Sequence, residues 1–467
     1  MASTNPTPPT SAPPPSPAPA PHDPFAALRI FNYRLFALGF LFSSAGLQMM
    51  GMALAWELYE RTNDPLILGL VGLCRALPVI LMALPAGYLI DSFDRRRVLI
   101  LTQVAFAVGT GVLAFVSYAE WPIWVTFVVI TLLGCIRSFN GPVRSSLLPD
   151  LIPPNIFPNA VTWNISIFQI SAIGGPLLAG LLIAHDGSAW LVYVCSAVMC
   201  GFFSLTAIGL RPLRTHALAA TLEGTPVCVA CGYPLAGLPA DAPCPECGLV
   251  QKGKPEESRK LSLRGMVAGM SHVWREKTIL AALTLDLFAV LLGGATALLP
   301  VYAREILHVG PVGLGWLKAA PYIGAAAMAL VMTSLPLKRR VGAKMLLSVA
   351  GFGACTIVFG LSTSFWLSLV MLVMLGALDA ISVVVRHVLV QMRTPRELRG
   401  RVSAVNSVFI ESSNELGAFE SGAVAKAFGP VISVVSGGIG TILVVIGVAI
   451  WLPEIRKLDE LETKNKL

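Results

Sequence analysis

Apolar residues in this chain fall in membrane-length blocks separated by short polar joints. A helix that crosses a bilayer needs about 20 mainly apolar residues. Twelve such blocks can be placed. Six lie near 33–58, 65–90, 98–119, 121–147, 157–184 and 189–210. Six more lie near 278–303, 311–336, 343–362, 364–391, 402–428 and 431–452. Between the two sets stands a polar interruption, 211–277. The pattern predicts an all-α membrane protein with twelve transmembrane helices in two six-helix bundles, 25–210 and 278–453, joined by a soluble connector, 211–277. A Pro-rich cytoplasmic tail, 1–24, and a short cytoplasmic tail, 454–467, complete the predicted organisation.

The joints alternate between basic and nearly uncharged. One set holds Asp94 with Arg95, Arg96 and Arg97, then Arg144, the connector, Lys338 to Arg340 with Lys344, and Arg393 to Arg401. Arg456 and Lys457 follow the last block on the same side. The other set has little beyond Arg61, Arg304 and Lys426. The excess of Lys and Arg in cytoplasmic joints predicts a multi-pass protein of the plasma (inner) membrane with both termini and the connector in the cytoplasm. Composition agrees: 55% of residues are hydrophobic and 13% charged, against roughly 25% charged in soluble domains. The net charge of +8 follows from the basic joints, so no nucleic-acid partner is expected. The first 24 residues contain ten prolines and read as a solvated tail leaning to polyproline II. It lacks the basic and apolar regions of a signal peptide, so the first block serves as its own insertion signal. An SH3-like partner for the tail is the alternative.

The halves are related. A shift of 242 positions lays Gly134 on Gly376, Arg144 on Arg386, Pro153 on Pro395, Asn164 on Asn406, Gly175 on Gly417 and Gly180 on Gly422. Parallel six-helix repeats place the substrate path at the repeat interface near the membrane midplane.

Two motifs sharpen this plan. After the second block the chain reads Gly87-Tyr-Leu-Ile-Asp91-Ser-Phe-Asp94-Arg95-Arg96-Arg97-Val-Leu99. This resembles the signature loop of the major facilitator superfamily, with Asp94 where the family usually has glycine. Asp tolerates a left-handed turn better than most residues, so that turn is expected to persist. The resemblance implies a twelve-helix secondary transporter, working by alternating access without cofactor. It makes Gly87, Asp91, Arg95 and Arg96 a gating loop, with Asp91 against the start of the eleventh helix. In the fifth block, Ser171-Ala-Ile-Gly174-Gly175-Pro176-Leu-Leu-Ala179-Gly180 resembles the family's antiporter motif, with Ser171 and Ala179 in place of glycines. Proline removes a backbone hydrogen bond, and small residues permit close helix packing against a second-half helix. In the family this motif accompanies export. The loop Pro395 to Arg401 is similar to that of the branch containing macrolide and siderophore (enterobactin-type) exporters.

Ionisable residues inside membrane spans are costly and are functional candidates by default. Arg75, Asp286, Lys318, Asp379, Glu411 and Glu415 stand near mid-depth. Asp286, flanked by leucines and Phe288, leads as a proton carrier, followed by Glu411 and Glu415, with Arg75 as partner. Gln48, Asn140, Asn164 and Gln169 either touch substrate or hydrogen-bond between helices. The expected cargo is a small amphiphilic molecule such as a drug or siderophore, exchanged for protons by a monomer among membrane lipids.

The connector carries Cys228, Cys231, Cys244 and Cys247 in a C-x2-C-x12-C-x2-C pattern, close to four-cysteine structural zinc sites. The run resembles a zinc ribbon. Four thiolates leave no open position, so the expected zinc is structural; a redox pair of C-x-x-C motifs competes with it. The residues after it, Leu261 to Lys277, read as an amphipathic helix on the membrane surface. A cytoplasmic protein could dock at the ribbon. No nucleophile–base set, phosphate loop or open metal site is present in the sequence, so no enzyme is expected. The competing class is a membrane-anchored sensor or scaffold with the ribbon as output; an importer of the same fold is the third reading.

Overall fold

The computed structural model describes residues 23–210, 270–271, 273–334, 340–394 and 398–456, apart from the side chains of 83–92, 154, 399–401, 403–405, 407–408 and 411. The described chain is helical. In the first half, α1 is Phe31–Thr62, α2 Pro65–Ser92, α3 Arg95–Tyr118, α4 Ile123–Leu151, α5 Phe157–Asp186 and α6 Trp190–Ile208. In the second, α7 is Lys277–Leu292, α8 Gly310–Ser334, α9 Val341–Leu361, α10 Phe365–Arg393, α11 Arg399–Phe428 and α12 Pro430–Trp451. Eleven of the described helical spans are long and apolar enough to cross a membrane. The exception is α11, which carries Arg399, Arg401, Glu411, Glu415, Glu420 and Lys426. Its length suits a span, but its polarity demands protein or water around it rather than lipid.

Local chemistry sets the ends. Asn63 closes α1 in the left-handed conformation, φ 50°, its N–H bonded to the Tyr59 carbonyl. Gly187 does the same for α5 at φ 76°. The predicted span 278–303 is longer in the structure and interrupted. At Gly293 and Gly294, α7 gives way to a 3-10 turn, Ala295–Leu298, and then to a short helix and a π turn ending at Ile306. Of the expected amphipathic helix, 261–277, residues 270–271 and 273–275 are helical, with Val273 buried and Trp274 exposed, but Glu276 breaks the helix and Lys277 begins α7. Cys228, Cys231, Cys244 and Cys247 lie outside the described residues.

Packing repeats with the chain. The first bundle pairs α1 with α5 and α6, α3 with α6, and α4 with α2 and α3. The second pairs α7 with α11 and α12, α9 with α12, and α10 with α8 and α9. Each is the same contact moved by six helices. The bundles meet at two equivalent seams, α2 on α11 and α5 on α8.

The apolar interior follows this plan unevenly. Toward the α1–α2 joint, one cluster runs through both bundles, from Met49, Leu58 and Tyr59 to Leu299, Tyr302 and Leu317. Toward the chain termini the interior is divided. One cluster around Tyr33, Leu147 and Phe203 belongs to the first bundle. Another around Ala282, Met345 and Val445 belongs to the second. The bundles therefore share a core at one end only.

In lipid, helices gain little from hydrophobic association and depend on close packing of small residues. A Cβ on Gly438 would lie 2.8 Å from the Gly353 carbonyl oxygen, and one on Gly353 2.9 Å from that of Gly438. Overpacking of such a contact costs about 1–3 kcal/mol. Gly438→Leu is therefore expected to lower the detergent unfolding midpoint, read by tryptophan fluorescence. An unchanged midpoint would show that α9 and α12 do not pack this closely.

Candidate functional site

The seams are built from backbone contacts. On α2 and α11, a Cβ on Gly69 would meet the Phe419 carbonyl oxygen at 3.0 Å, and one on Gly422 would meet Gly69 Cα at 2.9 Å. On α5 and α8, a Cβ on Gly180 would meet the Pro311 carbonyl oxygen at 2.6 Å, and one on Gly315 the Pro176 carbonyl oxygen at 2.7 Å. The antiporter-like stretch therefore serves two neighbours. Pro176 and Gly180 face α8, as expected of a contact with the second half. Ser171 and Gly175 face α1 instead: Ser171 Oγ donates to the Leu41 carbonyl at 3.2 Å, and Gly175 abuts Gln48. Ala179 is fully buried.

Polar contacts reinforce the shared end. Lys426 Nζ lies 2.6 Å from Asp64 Oδ2, between the end of α11 and the α1–α2 joint. The Lys426 hydrogen bond, aided by the Leu66 N–H, holds the Asp64 carboxyl below the usual range against a smaller opposing effect of burial. A depressed carboxyl pKa contributes stability above the unfolded-state pKa and loses it as pH falls through the folded one. The contact is therefore intact near neutrality and weakens in acid. Tyr59 of α1 donates to Glu305 beyond α7.

Between the seams lies a group of charges drawn from both bundles. Glu415 of α11 sits 3.9 Å from Arg75 of α2 and 3.7 Å from Arg137 of α4. Lys318 of α8 is within Coulombic reach of Arg75 and Glu415. Tyr322, one turn further along α8, reaches Gln48 of α1 and feels Arg137, Arg75 and Asp379; its ring meets Phe168 edge-on at 6.4 Å. Arg75, Glu415 and Lys318, three of the ionisable residues placed near mid-depth, come together. Of the candidate carboxylates, Glu415 is the one that Arg75 pairs with. Glu411 lies one turn before Glu415 on α11, and its side chain is outside the described residues. Asn140 and Asn164 act between helices: Gln103 Nε2 donates to Asn140 at 3.3 Å, and Tyr33 OH to Asn164 at 3.1 Å.

Asp286 belongs to a second, fully internal site. Its carboxylate pairs with Arg386 of α10, and the two side chains are 8% and 3% exposed. That burial matters because an unpaired ion in such a place would cost several kcal/mol. Beside the pair lies a cavity of about 10 Å³, lined by Asp286, Asp379, Ser382, Val349 and Phe352 among others. Its volume is about that of one water probe. Ser382 Oγ and Arg386 Nε are buried there without a hydrogen-bond partner among the described residues.

The loop after α2 differs from expectation in one detail. Asp94 is not left-handed; at φ −60° and ψ 115° it caps α3, accepting the Arg97 N–H. Aspartate is among the best N-cap residues because its carboxylate satisfies an otherwise orphaned N–H. Arg95 donates to the Ser146 carbonyl at 3.0 Å and to Asp150 at 2.9 Å at the end of α4. Arg96 donates to the Ala207 and Ile208 carbonyls at the end of α6. Both cations meet the negative ends of helices in their own bundle. Gly87 and Asp91 fall in the last turns of α2, and the proposed contact of Asp91 with α11 lies outside the described side chains.

Sequence reading passed over Arg137, Tyr322 and the pairing of Arg386. Arg137 interrupts an apolar run, as Arg75 does, and that signal was available. Pairing across seams depends on which helices touch, which no local pattern contains.

Comparison with known proteins agrees with this architecture. The sequence pattern of the Major Facilitator Superfamily matches residues 36–418 and again 292–466. The enterobactin exporter EntS of Shigella boydii serotype 4 (strain Sb227) is 23% identical over 432 residues, covering 92% of this chain and 93% of that one. The enterobactin exporter EntS of Citrobacter koseri (strain ATCC BAA-895 / CDC 4225-83 / SGSC4696) is 24% identical over the same coverage. Among solved structures, a bacterial homologue of the human lysosomal transporter Spinster, inward-facing and unoccupied, aligns with a TM-score of 0.64 at 12% identity. It covers 91% of this chain and 96% of that one. The family pattern, the repeated six-helix packing and the charged interface between the bundles agree: this chain belongs to the Major Facilitator Superfamily of membrane transporters.

Proposed function

We propose that the protein is a proton-coupled exporter of a small amphiphilic molecule, such as a drug or siderophore, with both termini in the cytoplasm and alternating access as its mechanism. The observation that carries this reading is the meeting of Arg75, Arg137, Lys318 and Glu415 between two bundles that share an apolar core at one end only. Such an arrangement suits a path closed at the shared end. Rocking the bundles about the α2–α11 and α5–α8 seams would close the other end and release the Asp64–Lys426 and Tyr59–Glu305 contacts. Export is supported by the small residues and proline on the α5 face that meets α8, and by similarity to proteins described as enterobactin exporters.

Asp379 is the best-suited proton carrier. It borders the internal cavity and shares it with an aspartate that already has a counter-ion. Asp379 is half-buried; withdrawing a carboxylate even partly from water without a counter-ion carries a cost, and taking up a proton removes it. Asp286 is better suited to keeping Arg386 neutralised, which shifts it from leading carrier to counter-ion. In the connector, Cys228, Cys231, Cys244 and Cys247 are proposed to hold a structural zinc; the support is their spacing and the lack of an open position in a four-thiolate set.

Flux across proteoliposomes with an imposed pH gradient tests the coupling. Asp379→Asn is expected to reduce gradient-driven export at least tenfold while leaving exchange of labelled for unlabelled cargo near wild type; retained coupling would exclude Asp379. Asp286→Asn is expected to destabilise the protein by about 3–5 kcal/mol, because a charge is left buried without its partner. Adding Arg386→Gln should restore most of that loss in a detergent melt, whereas an additive loss would show that the two are not paired. Elemental analysis of the purified chain should find about one zinc, absent when Cys228 and Cys231 are both replaced by Ser.

A further inference from the structure

The charges between the seams do not balance. Arg75, Arg137 and Lys318 gather around Glu415. Toward the termini, Arg144 acts on Arg137, and Asp379 acts on the same Tyr322 as the two interface arginines. Glu411 stands one turn from Glu415 on α11. Even with that acid counted, cations lead by one (4 − 3 = 1). A net positive charge inside a membrane span is costly unless water or an anion answers it.

Glu415 answers it incompletely. Its carboxylate is 3.9 Å from Arg75 and 3.7 Å from Arg137, whereas a charge-assisted hydrogen bond closes to about 2.7–2.9 Å. The Arg95–Asp150 pair reaches 2.9 Å. Glu415 thus sits between two guanidiniums without closing on either. Arg75 and Arg137 lie 10 and 14 residues from the shared-end starts of α2 and α4 (75 − 65 and 137 − 123). That is about 15 and 21 Å along each helix. At this depth their side chains are still 31% and 37% exposed. Because both face α11 of the other bundle, the exposed part opens on the space between the seams.

An aromatic wall adjoins the cations. Lys318 and Tyr322 are four residues apart and share a face of α8. The Tyr322 ring meets Phe168 of α5 edge-on, and Phe168 is itself 43% exposed. Planar guanidiniums match the geometry of a carboxylate, while a lysine supplies a point charge. Rings beside them suit a flat apolar body.

We propose that the site takes an organic anion, a flat aromatic body bearing a carboxylate or similar oxyanion. The anion enters between Arg75 and Arg137 and replaces Glu415 as their counter-ion. Lys318 adds a third positive charge, and the body lies against Tyr322 and Phe168. This narrows the cargo to acids and excludes cationic amphiphiles. Calling the ligand cargo rests on the transport reading; its binding does not.

Scintillation proximity binding of tritiated 2-naphthoate to the full-length protein in phosphatidylcholine nanodiscs tests this. Unlabelled 2-naphthoate should displace the label at least tenfold better than 2-naphthamide or 2-(aminomethyl)naphthalene, which carry the same rings without the negative charge. Tenfold is about 1.4 kcal/mol, the scale of one charge-assisted hydrogen bond. Arg137→Gln should weaken binding at least tenfold with an unchanged melting profile. Arg137→Lys, which keeps the charge and loses the fork, should fall between. Glu415→Gln removes the competing carboxylate and should bind at least as tightly as wild type. Absence of saturable naphthoate binding, equal displacement by the three compounds, or lost binding in Glu415→Gln would overturn the proposal. The three-compound comparison uses wild-type protein, so it decides even where a variant fails to fold. Intact naphthoate selectivity without gradient-driven flux would sink the exporter reading alone. Flux with no charge preference in binding would sink this inference alone.

Discussion

The structure rests on two backbone-to-backbone seams, α2 on α11 and α5 on α8. Lipid is as apolar as a leucine side chain, so bundles in a membrane are not pressed together by the hydrophobic effect. What holds them is dispersion at close range, and close range requires that no Cβ intervene. Gly69 and Gly422 on one seam, and Gly180 and Gly315 on the other, meet that condition. Because all four contacts lie toward the α1–α2 joint, the apolar core is shared there and divided toward the termini. The interface that gathers the charges between the seams is a consequence of the same placement.

Between the seams, the two halves have treated equivalent charges differently. Under the repeat offset, Arg144 corresponds to Arg386, Arg137 to Asp379 (379 − 242 = 137) and Ser44 to Asp286 (286 − 242 = 44). In the second bundle Arg386 is neutralised by Asp286 inside the core. In the first bundle the position of the acid holds Ser44. Arg144 lies over the Phe40 ring at 4.3 Å and donates to the Asn140 carbonyl at 3.3 Å. A ring face offers about 0.5–2 kcal/mol to a cation and carries no titratable proton, whereas a carboxylate brings one. Divergence at these positions gives the second bundle an acidic site of Asp286 and Asp379 and turns the first toward Glu415 across the interface.

The loop after α2 shows how a motif can persist while its local physics changes. Replacement of the usual glycine by Asp94 gives up a left-handed turn and gains an N-cap on α3. Arg95 and Arg96 then close the ends of α4 and α6, so the described part of the motif ties the terminal end of its own bundle. Those contacts tie the ends of α3, α4 and α6 into one unit.

Much of this was legible in the sequence. Blocks of about twenty apolar residues are long enough to span a bilayer and have no other low-energy state there, so helix number and order followed from length and hydropathy alone. The repeat followed from a constant offset, and the α5 packing stretch from its run of small residues around Pro176. The polarity of α11 was legible in part, through Glu411 and Glu415, although a length criterion alone accepts the block. Tertiary structure alone decided the partners: Asp286 with Arg386, Arg75 and Arg137 on one glutamate, and Pro24 on Trp163. These pairings join residues 100 to 340 positions apart, and a side chain's counter-ion is set by which helices touch, a property of the packed bundle that no window along the chain contains.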